Sequence, residues 1–290
     1  MSSNDILVEI PNHHLPKLAA LFENKAPWAP HMVTFVHIAM KWKENTKYKD
    51  KIVFLSPYNC WETDGTIIVI VQLLSTQDLY VFTLDDQCTN LYKGLLETNL
   101  ITYANKRSLF YAVHEKHVPT VKKYLDKKQI SVEEKPCFMY AIAPEEATKF
   151  TLDFRCSDVY VKTLEPSAAK RINDLWPHKF LQSEQYLASL IDVNGGYGAF
   201  LKSTGQMVAW VLKHTFGHVA ILQTEEEHTR KGYATLVTKA LCREMAEDGF
   251  WPVSTMLLEN KSSVAMFEKL GFRSIGGCSF LVPQCFISQA

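Results

Sequence analysis

The chain has little surplus of anything, and each shortage excludes a class of protein. Its 290 residues carry 31 Lys+Arg against 31 Asp+Glu, a formal net charge of zero. A protein that grips a phosphate backbone needs a positive field, so nucleic acid is excluded as the expected partner. The longest apolar run, "GTIIVIVQLL" at 65–74, is far too short to cross a bilayer and reads as a buried strand. The seven cysteines (Cys60, Cys88, Cys137, Cys156, Cys242, Cys278 and Cys285) are odd in number, widely spread and contain no C-x-x-C pair. That excludes a disulfide framework and a zinc site and points to a reducing compartment, with most cysteines expected as small buried residues. No metal site is expected. The start, "MSSNDILVEIPNHH", lacks both a basic region leading into an apolar stretch and an arginine-rich amphipathic pattern, so a cytoplasmic protein is expected.

What is present is a length suited to two domains and an apolar content of 47%, the composition of a folded globular chain. The expected boundary lies near 143–157, giving domains over 1–150 and 151–290. In the first half "KIVFLS" (51–56), "TIIVIVQL" (66–73) and "LYVFTLD" (79–85) read as strands, rich in β-branched and aromatic residues. "LPKLAALFEN" (15–24) and "PTVKKYLDKK" (119–128) carry helical apolar stripes. "KWKENTKYKDK" (41–51) reads as a solvated helix face and loop.

The second half is clearer. A strand at 157–164 precedes helices at "EPSAAKRINDLW" and 183–193. Three strands follow, "YGAFLKS", "QMVAWVLKHT" and "GHVAILQTE", separated by turn signals. A helix over about 231–248, a strand "FWPVSTMLLE", a helix "NKSSVAMFEKL" and a closing strand region complete it. A strand meander followed by βαβα predicts a mixed α+β fold with one parallel crossover.

Two segments carry chemistry. The first is "EEEHTRKGYATL" (225–236), between a strand and a helix. A helix N-terminus leaves backbone N–H groups unpaired and carries partial positive charge. Small residues Gly232 and Ala234 admit a ligand to that backbone, and Arg230 and Lys231 add charge, which together make an anion cradle suited to pyrophosphate. It matches neither G-x-x-x-x-G-K-[ST] nor G-x-G-x-x-G. Taken alone, the stretch is equally readable as an ordinary strand-to-helix turn with a solvated charge run. The second segment is "ENKSSVAMFEKLGFRSIG" (259–276). There Asn260 caps a helix, Val264, Phe267 and Leu270 form its core stripe, and Gly271 ends it.

With "TRKGYA" in the first segment and "NKSSVAMFEKLGF" in the second, in that order and spacing, residues 157–282 resemble the GNAT superfamily of CoA-dependent N-acyltransferases. A narrower resemblance, to glycine N-acyltransferase-like proteins, rests on "RINDLWPH" (171–178), "EEHTRKGYATLV" and "GFWPVSTMLLENKSSVAMFEKLGF". It implies two tandem GNAT-like folds, mixed sheets flanked by helices, with a degenerate N-terminal copy that helps shape the acceptor pocket. It implies acyl-CoA or acetyl-CoA as cosubstrate and a small amine acceptor, glycine or another amino acid, by direct attack. The resembled enzymes are often mitochondrial. The strand 219–224, through Leu222 and Thr224, is expected to pair with the pantetheine arm. Thr229, Arg230, Lys231, Gly232, Tyr233 and Ala234 are expected to hold the pyrophosphate, and Asn260 and Phe267 to lie against the cofactor. Of the carboxylates Glu225, Glu226 and Glu227, whose mutual repulsion favours a usable base, Glu227 matches the acid of the family's P-E-Y-R segment and is the first choice. Glu226 is the second, and neighbouring His228 is a substitute.

Two positions depart from the family. Thr229 stands where Gln or Arg is usual, and Phe267 stands where many members have a proton-donating Tyr. These departures support an alternative, a catalytically weak or silent acyl-CoA-binding regulatory module. A protein-lysine acetyltransferase is a further alternative. A monomer is favoured. Cys278 has no assignable partner base, and ranks low as a nucleophile.

Overall fold

A computed structural model of the chain describes residues 5–103, 106–152 and 158–284. Cys156, Cys285 and residues 153–157 of the expected boundary lie outside them. The chain divides into two compact units. Unit 1 takes 1–139, 257–259 and 275–290; unit 2 takes 140–256 and 260–274.

Unit 1 runs β1 (Leu7–Glu9), α1 (Leu15–Lys25), α2 (Pro30–Glu44), β2 (Ile52–Pro57), α3 (Trp61–Asp64), β3 (Ile67–Leu73), β4 (Thr76–Phe82), α4 (Thr89–Glu97), β5 (Arg107–His114), α5 (Val118–Lys127) and β6 (Val132–Ala141, to residue 139). The apolar run becomes β3, buried at every position but Gln72, as a strand covered on both faces requires. Its neighbours β2 and β4 pair with it antiparallel, and β4 and β5 pair in parallel. The stripe Val121, Tyr124 and Leu125 of α5 packs into a core with Ile68, Leu79 and Phe110.

Unit 2 runs α6 (Pro144–Ala147), β7 (Val159–Thr163), α7 (Ala169–Leu175), α8 (Ser183–Asn194), β8 (Gly196–Leu201), β9 (Met207–Lys213), β10 (Val219–Thr224), α9 (Tyr233–Glu247), β11 (Val253–Leu257, to residue 256), α10 (Lys261–Lys269) and the start of β12 (Arg273–Pro283). From residue 275 onward β12 counts with unit 1, where it pairs antiparallel with β5. The unit 2 meander is antiparallel, in the order β10-β9-β8-β7. Leu164, Ile172, Leu187 and Trp210 anchor its core on the α7–α8 side. The expected stripe of α9 (Leu236, Val237, Ala240, Leu241 and Met245) is buried throughout. Apart from the short helices α3 and α6, both units repeat one order: strand, two helices, three strands, helix, strand, helix, strand. That is the tandem, mixed α/β architecture expected.

Candidate active site

The site is built where β10 leaves the meander. Between Ala220 and Gln223 the β9–β10 register slips by one residue, and Ile221 sits at φ +53°. Such a bulge leaves extra backbone unpaired and bends the strand. Leu222 and Thr224 are half-buried there, and the Thr224 Oγ1 is shielded from solvent without a hydrogen-bond partner. On its other side β10 meets β11 through an isolated parallel bridge, His218 to Val253. A bond from Ser254 Oγ to the Val219 carbonyl, 3.2 Å, closes the same end. Past that point no β10–β11 pairing occurs among the described residues. In unit 1 the corresponding strands β4 and β5 are zipped by four consecutive pairs, from Thr76–Arg107 to Leu79–Phe110.

After Thr224 the chain makes a short 3-10 turn, Glu226–His228. The Thr229 hydroxyl closes it by donating to the Glu226 carbonyl at 3.0 Å. Arg230 at φ +61° and Gly232 at φ +86° then turn the backbone into α9. Gly232 is the N-cap and offers no side chain to the helix N–H groups. Arg230, Lys231 and Gly232 are exposed, Ala234 is half-buried, and Lys231 Nζ lies 3.3 Å from His228 Nδ1. Tyr233 contributes backbone only: its ring is buried and its hydroxyl donates to Asp158 Oδ2. That bond, aided by Lys231 and His228, holds the Asp158 carboxyl below the usual range. Unit 1 treats its equivalent helix start differently. Asp85 accepts from the Thr89 N–H at 2.9 Å and the Gln87 N–H at 3.0 Å, so a carboxylate of the chain itself satisfies the first N–H of that helix.

The three carboxylates separate by environment. Glu226 and Glu227 are exposed on the 3-10 turn. The Glu225 side chain is only 11% exposed and is held from two sides. Arg171 Nε donates to its Oε1 at 2.9 Å, and Gln206 Nε2 donates to its Oε2 at 2.9 Å. Arg171 and Gln206 also line a cleft of about 340 Å³, with Lys162, Leu164, Phe200 and Met207 among its other walls. Neither is named as a site residue by the sequence reading: Arg171 lies 54 residues from Glu225 in the chain and Gln206 lies 19 from it, so no single short segment holds the cluster.

Asn260 caps α10 as expected, accepting from the Ser263 N–H at 3.2 Å, while Phe267 is buried edge-on against Phe272. His214 is buried, with Nε2 2.8 Å from the Tyr186 hydroxyl, and burial lowers its pKa to about 3. His218 is fully buried. Cys88, Cys137, Cys242 and Cys278 are buried free thiols and Cys60 is half-buried. No group of three or more metal-ligating side chains converges among the described residues, and no helix among them is long and apolar enough to cross a membrane.

The fold that carries these features is similar to that of solved GCN5-related N-acetyltransferases. A family profile described as FR47-like protein matches residues 196–281, which hold the bulged strand, its parallel neighbour and the glycine turn. A domain of unknown function (DUF5645) matches residues 6–124. A Drosophila protein of solved structure is 20% identical with a TM-score of 0.87, covering 97% of this chain and 99% of its own. A GCN5-related N-acetyltransferase from Sphaerobacter thermophilus is 9% identical (TM-score 0.56, 96% and 95% covered). A tandem GNAT protein from the clavulanic acid biosynthesis pathway is also 9% identical (TM-score 0.53, 95% and 97% covered). No curated protein matches the chain.

Proposed function

We propose that unit 2 is an acyl-CoA-dependent N-acyltransferase that passes an acyl group, acetyl in the simplest case, to a small amine, with glycine or another amino acid as acceptor. The observation that carries this reading is the contrast between the units: β10 is bulged and parted from β11, with an uncapped glycine turn behind it, where unit 1 is zipped and capped. The parted edge suits a pantetheine arm, which pairs with backbone as an added strand does. The partnerless Thr224 hydroxyl and Leu222 lie along it. The N–H groups at the start of α9, with Arg230 and Lys231, suit a pyrophosphate; Thr229, Gly232, Tyr233 and Ala234 act there through backbone or small size.

In the reaction the amine nitrogen attacks the thioester carbonyl, the C–N bond forms and the C–S bond breaks. Holding both substrates supplies proximity, and backbone N–H groups of β10 polarise the carbonyl. Glu227 takes the proton that the acceptor ammonium must lose, with Glu226 as the alternate carboxylate. The thiolate leaves without a protein acid, since a thiol of pKa about 8.5 is a fair leaving group.

A second reading, a silent acyl-CoA-binding module, rests on Phe267, which offers no hydroxyl and is packed against Phe272. Calorimetric CoA binding, run beside free-thiol release from acetyl-CoA and benzoyl-CoA with an amino-acid panel, separates the two. Binding with acceptor-dependent release supports the enzyme. Binding without release supports the module, and absence of CoA binding sinks both.

A further inference from the structure

The cleft on the α7 side of unit 2 is not used by the CoA reading. It is a built site. Its volume, about 340 Å³, is that of a small metabolite. One wall is apolar, from Leu164, Phe200 and Met207. Gly198 makes that wall possible: a Cβ there would meet Phe200 Cε2 and Leu164 Cδ2 at 2.8 Å. Lys162 lies over the Phe200 ring at 4.8 Å, so a cation stands at the cleft's margin. The lining is otherwise polar, with the carboxylate Glu165 beside the donors Arg171 and Gln206, and these two converge from α7 and the β8–β9 turn on one carboxylate, Glu225.

The Glu225 side chain is 11% exposed whereas that of Arg171 is 47% exposed, so the carboxylate is the recessed partner, and Arg171 lines the cleft. A guanidinium has five N–H donors in a rigid fork. Glu225 engages one edge of it, which leaves further donors for a second carboxylate.

Resting on the transferase reading, we propose that this cleft is the acceptor subsite and that Arg171 is its specificity-determining residue. It selects acceptors that bear a carboxylate, and Glu225 with Gln206 acts as the positioning clamp that aims the guanidinium. Glu225 immediately follows the parted strand, so an acceptor anchored on Arg171 is held beside the end of β10. The apolar wall receives its side chain. An amine without a carboxylate leaves the recessed ion pair intact and gains no anchor.

The test uses the full-length chain with acetyl-CoA and three acceptors: glycine, glycinamide and ethylamine. Loss of a charge-assisted hydrogen bond to a carboxylate corresponds to about 10–100-fold. Glycine is therefore expected to exceed glycinamide by about that factor in kcat/KM. Arg171→Gln removes the preference while CoA affinity stays unchanged. Equal use of glycine and glycinamide by the natural chain, or a preference that survives Arg171→Gln, overturns the proposal. N-acetylglycine binding by calorimetry gives a readout that needs no turnover. If CoA binds and no acceptor releases thiol, the transferase reading fails by itself. The subsite then stands if N-acetylglycine binds the natural chain and not the Arg171→Gln variant, and falls if it binds neither or both. Arg171→Lys keeps the charge but not the fork, and is expected to recover the preference only in part.

Discussion

His218 and Val253 form the one parallel bridge between β10 and β11 among the described residues, at the end of β10 farthest from the glycine turn. Everything proposed for unit 2 depends on its being isolated. A full ladder there would satisfy the strand edges with each other. Unit 1 comes closer to that outcome in the same molecule, with β4 and β5 paired over Thr76–Leu79 and Asp85 accepting from the first N–H of α4. One architecture thus occurs twice, once open and uncapped, once closed and self-capped. Fold alone does not place a ligand; the difference between the copies is what supports assigning CoA to unit 2.

The cradle can be weakened in two separable ways. Neutralising Arg230 and Lys231 together to Gln is expected to raise the CoA Kd by about tenfold and flatten its dependence on salt, since exposed cations act through screened attraction. Gly232→Val is expected to do more, because φ +86° strains any β-branched residue and the added bulk meets the ligand. Calorimetry across ionic strength checks both; an unchanged Kd for Gly232→Val would move the pyrophosphate elsewhere.

Glu227→Gln removes the proposed base while keeping its shape. Turnover is expected to fall about 10²–10⁴-fold with CoA affinity unchanged, and Glu226→Gln to cost less. Single-turnover thiol release is the measurement. Unchanged turnover in Glu227→Gln with intact CoA binding removes the assignment.

Local patterns in the sequence reached the turn and the helix cap of the candidate site. The turn at 225–236 and the Asn260 cap were legible because both are short-range devices, a glycine with positive φ and a side chain reaching three residues on. The helix Pro30–Glu44 was not legible beyond its charged end. Its His31, Met32, Thr34, Phe35, Val36, Ile38 and Ala39 are all buried, so no amphipathic period survives. The pairing of β12 with β5 joins Cys278 to His114, far apart in the chain, and no window of sequence contains both. The clamp of Arg171 and Gln206 on Glu225 was hidden for the same reason.

Unit 1 offers a control for the capping argument. Asp85→Ala exposes the Thr89 and Gln87 N–H groups and is expected to cost about 1 kcal/mol of stability. Because β4 and β5 stay paired, no second CoA site should open, and calorimetric stoichiometry should remain one. Two sites in the variant would mean that Asp85 alone keeps unit 1 silent.

Buried imidazoles set the response to acid. His31 and His117 in unit 1 and His214 in unit 2 have pKa values lowered to about 3, chiefly by burial, with nearby His114 adding to the effect on the first two. His31 and His114 stack with ring centroids 6.4 Å apart, and His117 lies 5.9 Å from His114. In the unfolded chain these groups protonate near 6.5; in the folded chain they stay neutral until about pH 3. The unfolded state therefore binds more protons between those values, and stability falls as pH drops through that window. It is complete above pH 6.5, and each imidazole removes about 1.4 kcal/mol per pH unit below it. The carboxyls held low, such as Asp5 and Asp85, act in the same direction at lower pH. Chemical denaturation measured from about pH 7 to pH 4 is expected to show a steep loss of stability. His214→Gln keeps a hydrogen-bonding partner for the Tyr186 hydroxyl and should reduce the slope by one proton. A slope that does not change in that variant would mean that His214 is already charged in the folded protein, and that its burial does not govern its titration.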